Sequence, residues 1–109
     1  MTFLSRIEEI LLLAIWKLKD NAYGLNIRQR VEKDTGLSWL SEAIYAPLSR
    51  LKEKGYVQTV KAGKSSEKGG RPRIYYRLTR AGLDRMIAVQ EVNRSLWFGV
   101  PNLKKVSLD

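Results

Sequence analysis

Residues 41–80, SEAIYAPLSRLKEKGYVQTVKAGKSSEKGGRPRIYYRLTR, constrain the fold more than any other stretch of the chain. The front carries apolar residues at helical spacing, and the back reads as two strands joined by a basic, glycine-rich tip. Ten of the 20 Lys and Arg residues lie here against three acids, Glu42, Glu53 and Glu67, so the stretch holds net +7 of the formal +9. Charges on residues 1–40 and 81–109 nearly cancel. A localised cationic helix and hairpin suit a polyanion, a nucleic acid before an anionic membrane. The alternative, ordinary solubilising charge, does not explain the clustering.

The preceding residues supply two helices. Ser5 and Glu8 stand three apart and predict a capping box, each satisfying a free amide of the first turn. Ile7, Leu11, Ala14 and Leu18 follow at helical spacing, widened by Ile10 and Leu13. With Leu12, Ile15 and Trp16 added, this helix needs cover on two sides, from a second subunit or from the chain's own C-terminal helix. Asp20–Asn21 ends it, and Asn21 is the expected cap of a second helix over Tyr23–Thr35. Leu25, Ile27, Val31 and Leu37 are its apolar contributions. Gly24 beside Tyr23 suggests close helix approach, and Gly36 suits a left-handed cap.

A third helix is expected over Ser41–Lys54, with Ile44, Leu48 and Leu51 facing the core and Gly55 closing it. Pro47 predicts a kinked or loosened first turn. Tyr56–Ala62 and Ile74–Leu78 read as strands, and Pro72 fits a loop-to-strand junction. Thr79 is the expected cap of a final helix, Arg80–Leu96. Leu83, Met86, Ile87, Val89 and Leu96 give that helix two partial apolar faces. One face covers the domain. The other, with Trp97 and Phe98 beyond it, exceeds what a 109-residue monomer readily buries.

The order is helix, helix, helix, strand, basic tip, strand, helix: mainly α with a small β-hairpin, in one domain with a modest core. The second and third helices form a helix-turn-helix, whose second helix enters the major groove. Lys64, Lys68, Arg71 and Arg73 at the tip would then meet phosphates, or Arg71 or Arg73 a narrow minor groove. On the third helix, Tyr45 either reaches the groove or packs against the second helix. Ser41 is a cap, a phosphate ligand or both. Arg50 makes a structural ion pair or contacts DNA. Ser49 and Lys52 contact DNA or are plain exposed residues. Between two subunits, Trp16, Trp97 and Phe98 offer an apolar slot for a flat aromatic molecule, the alternative being a plain packed interface.

The chain has no Cys and no His, which excludes disulfides, thiolate or imidazole metal sites and any triad that needs them. Asp20, Glu32, Asp34 and Glu91 are scattered, with no pair spaced as an acid–base couple. Neither an enzyme nor a cofactor is expected. The longest apolar run, Ile10–Trp16, is seven residues, against about 20 for a membrane span. It lacks the flanks of a secretory signal, so no membrane association and a cytoplasmic location are expected.

IYAPLSRLKEKGYV followed by GGRPRIYYRLTRAG, with Tyr23-Gly24 upstream, closely resembles the PadR family of bacterial transcriptional regulators over roughly residues 5–97. The resemblance implies a winged helix-turn-helix domain over residues 1–78, a C-terminal dimerisation helix over 79–98 and a flexible tail over 99–109. It further implies a homodimer that represses promoters at inverted-repeat operators in double-stranded DNA and releases them on binding a small, often aromatic, molecule. Helix 41–54 would be the recognition helix with Tyr45 on DNA, and Gly63–Arg73 the wing. Trp16, Met86, Val89, Asn93, Leu96 and Trp97 are the expected dimer and effector residues. The chain departs from the family pattern at Glu42, Ala43 and Ala46, and its end leaves no room for the longer C-terminal domain of some relatives.

Overall fold

A computed structural model describes residues 4–64 and 72–108. Its elements are α1 (Arg6–Leu18), α2 (Gly24–Thr35), α3 (Ser41–Glu53), β1 (Val57–Lys64), β2 (Pro72–Leu78) and α4 (Arg80–Trp97), with 3-10 turns at Lys19–Asn21 and Leu103–Lys105. Three helices and a two-stranded antiparallel hairpin make up the predicted winged helix-turn-helix, and a fourth helix, α4, follows it.

The capping box at the start of α1 is present. Glu8 N–H donates to Ser5 Oγ (3.2 Å), and Ser5 N–H donates to Glu8 Oε1 (2.9 Å). The core is built from Leu11, Leu12, Ala14 and Ile15 of α1, Ile27 and Val31 of α2, and Ile44, Leu48 and Leu51 of α3. Ala22 and Val57 complete it. Each fully buried Leu or Ile contributes roughly 1.5–3 kcal/mol by leaving water, so three helices share one apolar centre.

Glu8 is buried at the edge of that core and receives Lys54 Nζ at 2.6 Å. Burial pushes the Glu8 carboxyl up, but the hydrogen bonds from Lys54 and Ser5 outweigh it and hold the group below its ordinary value. This pair ties the first turn of α1 to the end of α3.

Several expectations are corrected. The N-cap of α2 is Tyr23, not Asn21, because Tyr23 is drawn into an isolated antiparallel bridge with Tyr75. Leu25 and Leu37 are exposed, Leu37 at 61%. Ser41 is the first residue of α3 and not its cap; Leu40 holds the cap position without a side-chain bond. Pro47 is buried inside an unbroken α3, whose first turn is tightened by Ala43 N–H donating to the Leu40 carbonyl (3.0 Å).

Gly36 has the left-handed conformation expected of it (φ 72°). At the end of α3, Tyr56 N–H reaches the Leu51 carbonyl and Gly55 N–H the Lys52 carbonyl, both at 3.0 Å, with Gly55 at φ 79°. That is a Schellman stop, and it launches β1 at a fixed angle. The hairpin pairs Val57 with Leu78 and Val60 with Tyr75, and its register shifts between Ala62 and Lys64.

The hairpin returns to α4 through Thr79. Its hydroxyl donates to the Gly55 carbonyl (2.6 Å) and accepts from Gly82 N–H (3.0 Å), capping the helix as expected. A Cβ at Gly82 would fall on the Tyr56 carbonyl oxygen. Only glycine allows the two backbones to approach this closely. Among the described residues of α4, Gly82 alone is buried. The radius of gyration is 16.7 Å, against about 13 Å for a compact chain of this length.

Candidate nucleic-acid interface

The turn between α2 and α3 is pinned from both sides. Thr35 Oγ1 accepts from Leu37 N–H (3.2 Å) and Trp39 Nε1 (3.1 Å). Glu32 Oε2 accepts from Trp39 N–H (2.8 Å) and lies 3.7 Å from Arg28 Nε. Arg28 Nη1 in turn donates to Ser41 Oγ (3.0 Å) at the start of α3. A fixed turn sets the angle at which α3 is presented.

With Ile44, Pro47, Leu48 and Leu51 turned inward, the opposite face of α3 is exposed along its length. Ser41, Tyr45, Ser49, Arg50 and Lys52 all lie on the exposed side, together with Glu42, Ala46 and Glu53. Among the described residues Arg50 has no ion pair.

Tyr45 takes one of the two places the sequence left open for it. Its ring packs on α2, and a Cβ added at Gly24 would stand 2.7 Å from Tyr45 Cε1. The residue still leaves 45% of its surface exposed. Burial raises the Tyr76 phenol above its ordinary value, and the neighbouring Tyr45 phenol adds to the rise. Tyr45 therefore sits where α2, α3 and β2 meet.

The root of the wing is held by the residue next to Gly24. The Tyr23 ring meets Tyr75 edge-on, with centroids 5.5 Å apart and planes at 68°. The Arg73 guanidinium stacks over the Tyr23 ring at 4.3 Å. Tyr76 N–H donates to the Ala22 carbonyl at 2.7 Å. Tyr45 and Arg73 thus rest on consecutive residues, whose Cα atoms are about 3.8 Å apart, and α3 and the wing root share one end of the domain. Lys64 has its backbone in β1 opposite Pro72; its side chain, and Lys68 and Arg71 entirely, lie outside the described residues.

Two contributors escaped the sequence reading. Tyr23 and Arg28 brace the wing and the α3 start through contacts 50 and 13 residues away. Only the Tyr23-Gly24 pair gave a local hint.

The expected dimer and effector residues divide. Trp16, Met86, Val89 and Asn93 line one groove of about 370 Å³ between α1 and α4, with Leu13, Leu83 and Ile87. Asn93 Nδ2 donates to Glu9 Oε2 across it (3.3 Å), and Lys19 Nζ lies 3.8 Å over the Trp16 ring. Leu96 faces away, on the α4 stripe with Ala88 and Val92. Trp97 and Phe98 are exposed at the helix end. Among the described residues no helix is long and apolar enough to cross a membrane, and no acidic cluster is arranged to hold a metal ion.

Known proteins match this arrangement. The family model of the PadR-like transcriptional regulators matches residues 12–88, while no curated protein matches. A PadR-like transcription factor from Bacteroides fragilis is 26% identical, with TM-score 0.74 over 86% of this chain and 85% of that one. A PadR-like transcriptional regulator from Bacillus cereus is 21% identical, with TM-score 0.74 over 93% of each chain. RosR of H. salinarum is 22% identical, with TM-score 0.72 over 94% of this chain and 84% of that one. The last two carry the fold alone. With a pinned helix-turn-helix, a braced wing and a family match spanning most of its length, this chain belongs to the PadR-like family of transcriptional regulators.

Proposed function

We propose that the protein is a homodimeric, cytoplasmic repressor that binds double-stranded DNA at an inverted repeat. Ser41, Tyr45, Ser49, Arg50 and Lys52 present α3 to the major groove. Lys64, Lys68, Arg71 and Arg73 on the wing meet the flanking phosphates. The observation that carries this reading is the seating of Tyr45 and Arg73 on Gly24 and Tyr23, which makes helix and wing neighbours. The exposure of α4 supports the dimer: a helix with one buried residue is stable when a second copy covers it. Two α3 helices related by a two-fold axis then stand about 34 Å apart, one turn of DNA.

The effector site is the groove at Trp16, Met86, Val89 and Asn93, closed by Trp97 of a second copy, and it takes a flat aromatic molecule that releases DNA. Its 370 Å³ lies within the range of small-molecule sites, about 300–1,000 Å³.

Competition at fixed salt between the chain's own upstream duplex and random duplex tests the DNA assignment. The upstream duplex should win by about 10³ or more; equal competition would overturn it. A second reading, a nucleic-acid binder without sequence preference, draws on Glu42 and Glu53, exposed on the same α3 face, and predicts that equality. For the effector, planar aromatics should quench Trp fluorescence; an unchanged spectrum across a panel of phenols and planar cations would remove the ligand site.

A further inference from the structure

The segment after α4 is locally ordered. Gly99 turns the chain at φ 81°, and Val100 N–H donates to the Trp97 carbonyl (3.0 Å). Asn102 caps the 3-10 turn Leu103–Lys105 by accepting from Lys104 N–H (3.1 Å). This geometry sets Phe98, Val100, Leu103, Val106 and Leu108 outward; all five are exposed, Phe98 at 87% and Leu108 at 93%. Single exposed apolar residues are ordinary, but five within eleven positions form a patch that marks an interaction surface. The chain's own core does not extend to it. Among the described residues, none of the core, nor of the apolar residues packed on it, comes from beyond Met86.

A groove of about 520 Å³ lies on the flank of α1 that faces the α2–α3 turn, lined by Ile10, Leu13, Leu37 and Trp39 together with Arg6, Lys17, Asp34 and Thr35. Leu13 also lines the α1–α4 groove, so the two hollows meet along α1. We propose that residues 98–108 of one copy lie in this α1–turn groove of a second copy, strapping the dimer. The proposal rests on the homodimer reading and adds where the chain end goes. In the homodimer reading Trp97 of a second copy closes the α1–α4 groove, so that copy's next residue starts beside α1. Eleven extended residues reach about 36 Å, against the 10–12 Å width of a helix. The apolar segment can then cross α1 to the far flank, where Leu37 is otherwise exposed. This also gives Leu37 a reason to be apolar.

The chain has no cysteine, so introduced thiols report alone. Leu103→Cys and Leu37→Cys are made in separate full-length chains, one carrying a size tag, then mixed and oxidised. Sedimentation of the wild type runs in parallel. The strap predicts a cross-linked tagged–untagged dimer, and at least tenfold weaker dimerisation in the full-length Leu103→Asp/Val106→Asp variant. Both of its sites are exposed in the monomer, and far-UV circular dichroism checks that it folds. A wild type that sediments as a dimer while the mixed thiols fail to cross-link, or while the Asp variant dimerises normally, overturns the strap and leaves the dimer standing. A wild type monomeric at all concentrations overturns both.

Discussion

Replacing Lys54 with Met tests how α3 is held to α1. Glu8 Oε2 and Lys54 Nζ are 2.6 Å apart, and the Glu8 side chain is 3% exposed. Met keeps much of the Lys stem packing but leaves a buried carboxylate with only the Ser5 bonds. A hydrogen bond to a charged group contributes about 1.5–3 kcal/mol. Because the Lys54 side chain is 38% exposed, solvent screening places the loss at the lower end, about 1.5 kcal/mol. In a domain of this size that lowers Tm by about 6–12 °C, read by circular dichroism at matched protein concentration. The pH dependence gives an independent check. Glu8 in the folded chain lies below its ordinary value, so its contribution is present above about pH 4.3, the unfolded Glu value. It is lost as pH falls through the lower, folded value. Glu8→Gln keeps the capping box and should remove that part of the acid transition. A Lys54→Met melt within 1 °C of wild type, or an unchanged acid limb in Glu8→Gln, would refute the reasoning.

Gly24→Ala drives a Cβ into the Tyr45 ring. Because Ala suits a helix better than Gly, the melt should hold or rise while DNA affinity drops at least tenfold by gel shift. Gly82→Ala collides with the Tyr56 carbonyl instead and should cost about 1–3 kcal/mol in denaturant unfolding. Arg73→Ala should weaken all duplexes alike and reduce the slope of log affinity against log salt by about 0.9. In an absorbance titration one tyrosine should ionise above the ordinary phenol range, and Tyr76→Phe should abolish that step.

Where a signal was local, the sequence displayed it. The Ser5–Glu8 box, the Gly36 and Gly55 stops and the Thr79 cap each depend on residues within a turn or two, and each stands where its chemistry put it. What failed was decided at a distance. Asn21 has the chemistry of a cap, but Tyr23 takes the position because it pairs with Tyr75, 52 positions along the chain. Leu37 looks like core by composition, yet the turn that Thr35 and Glu32 fix leaves it outside. Pro47 reads as a breaker but is carried inside the helix by its burial beside Leu48. The candidate site shows the same division. The exposed α3 face follows from helical spacing alone. The stacking of Arg73 on Tyr23, and the parting of Leu96 from the groove at Trp16, needed the packed chain.

The central claim is that α3 and the wing root form one DNA-facing surface at a single end of the domain. Amide chemical shifts of the labelled protein, followed as its own upstream duplex is added, read that surface residue by residue. Ser41–Lys52, Tyr23-Gly24 and residues 73–76 should shift together, with α4 unmoved beyond Gly82. Perturbation confined to α4, or to the wing with α3 silent, would contradict it.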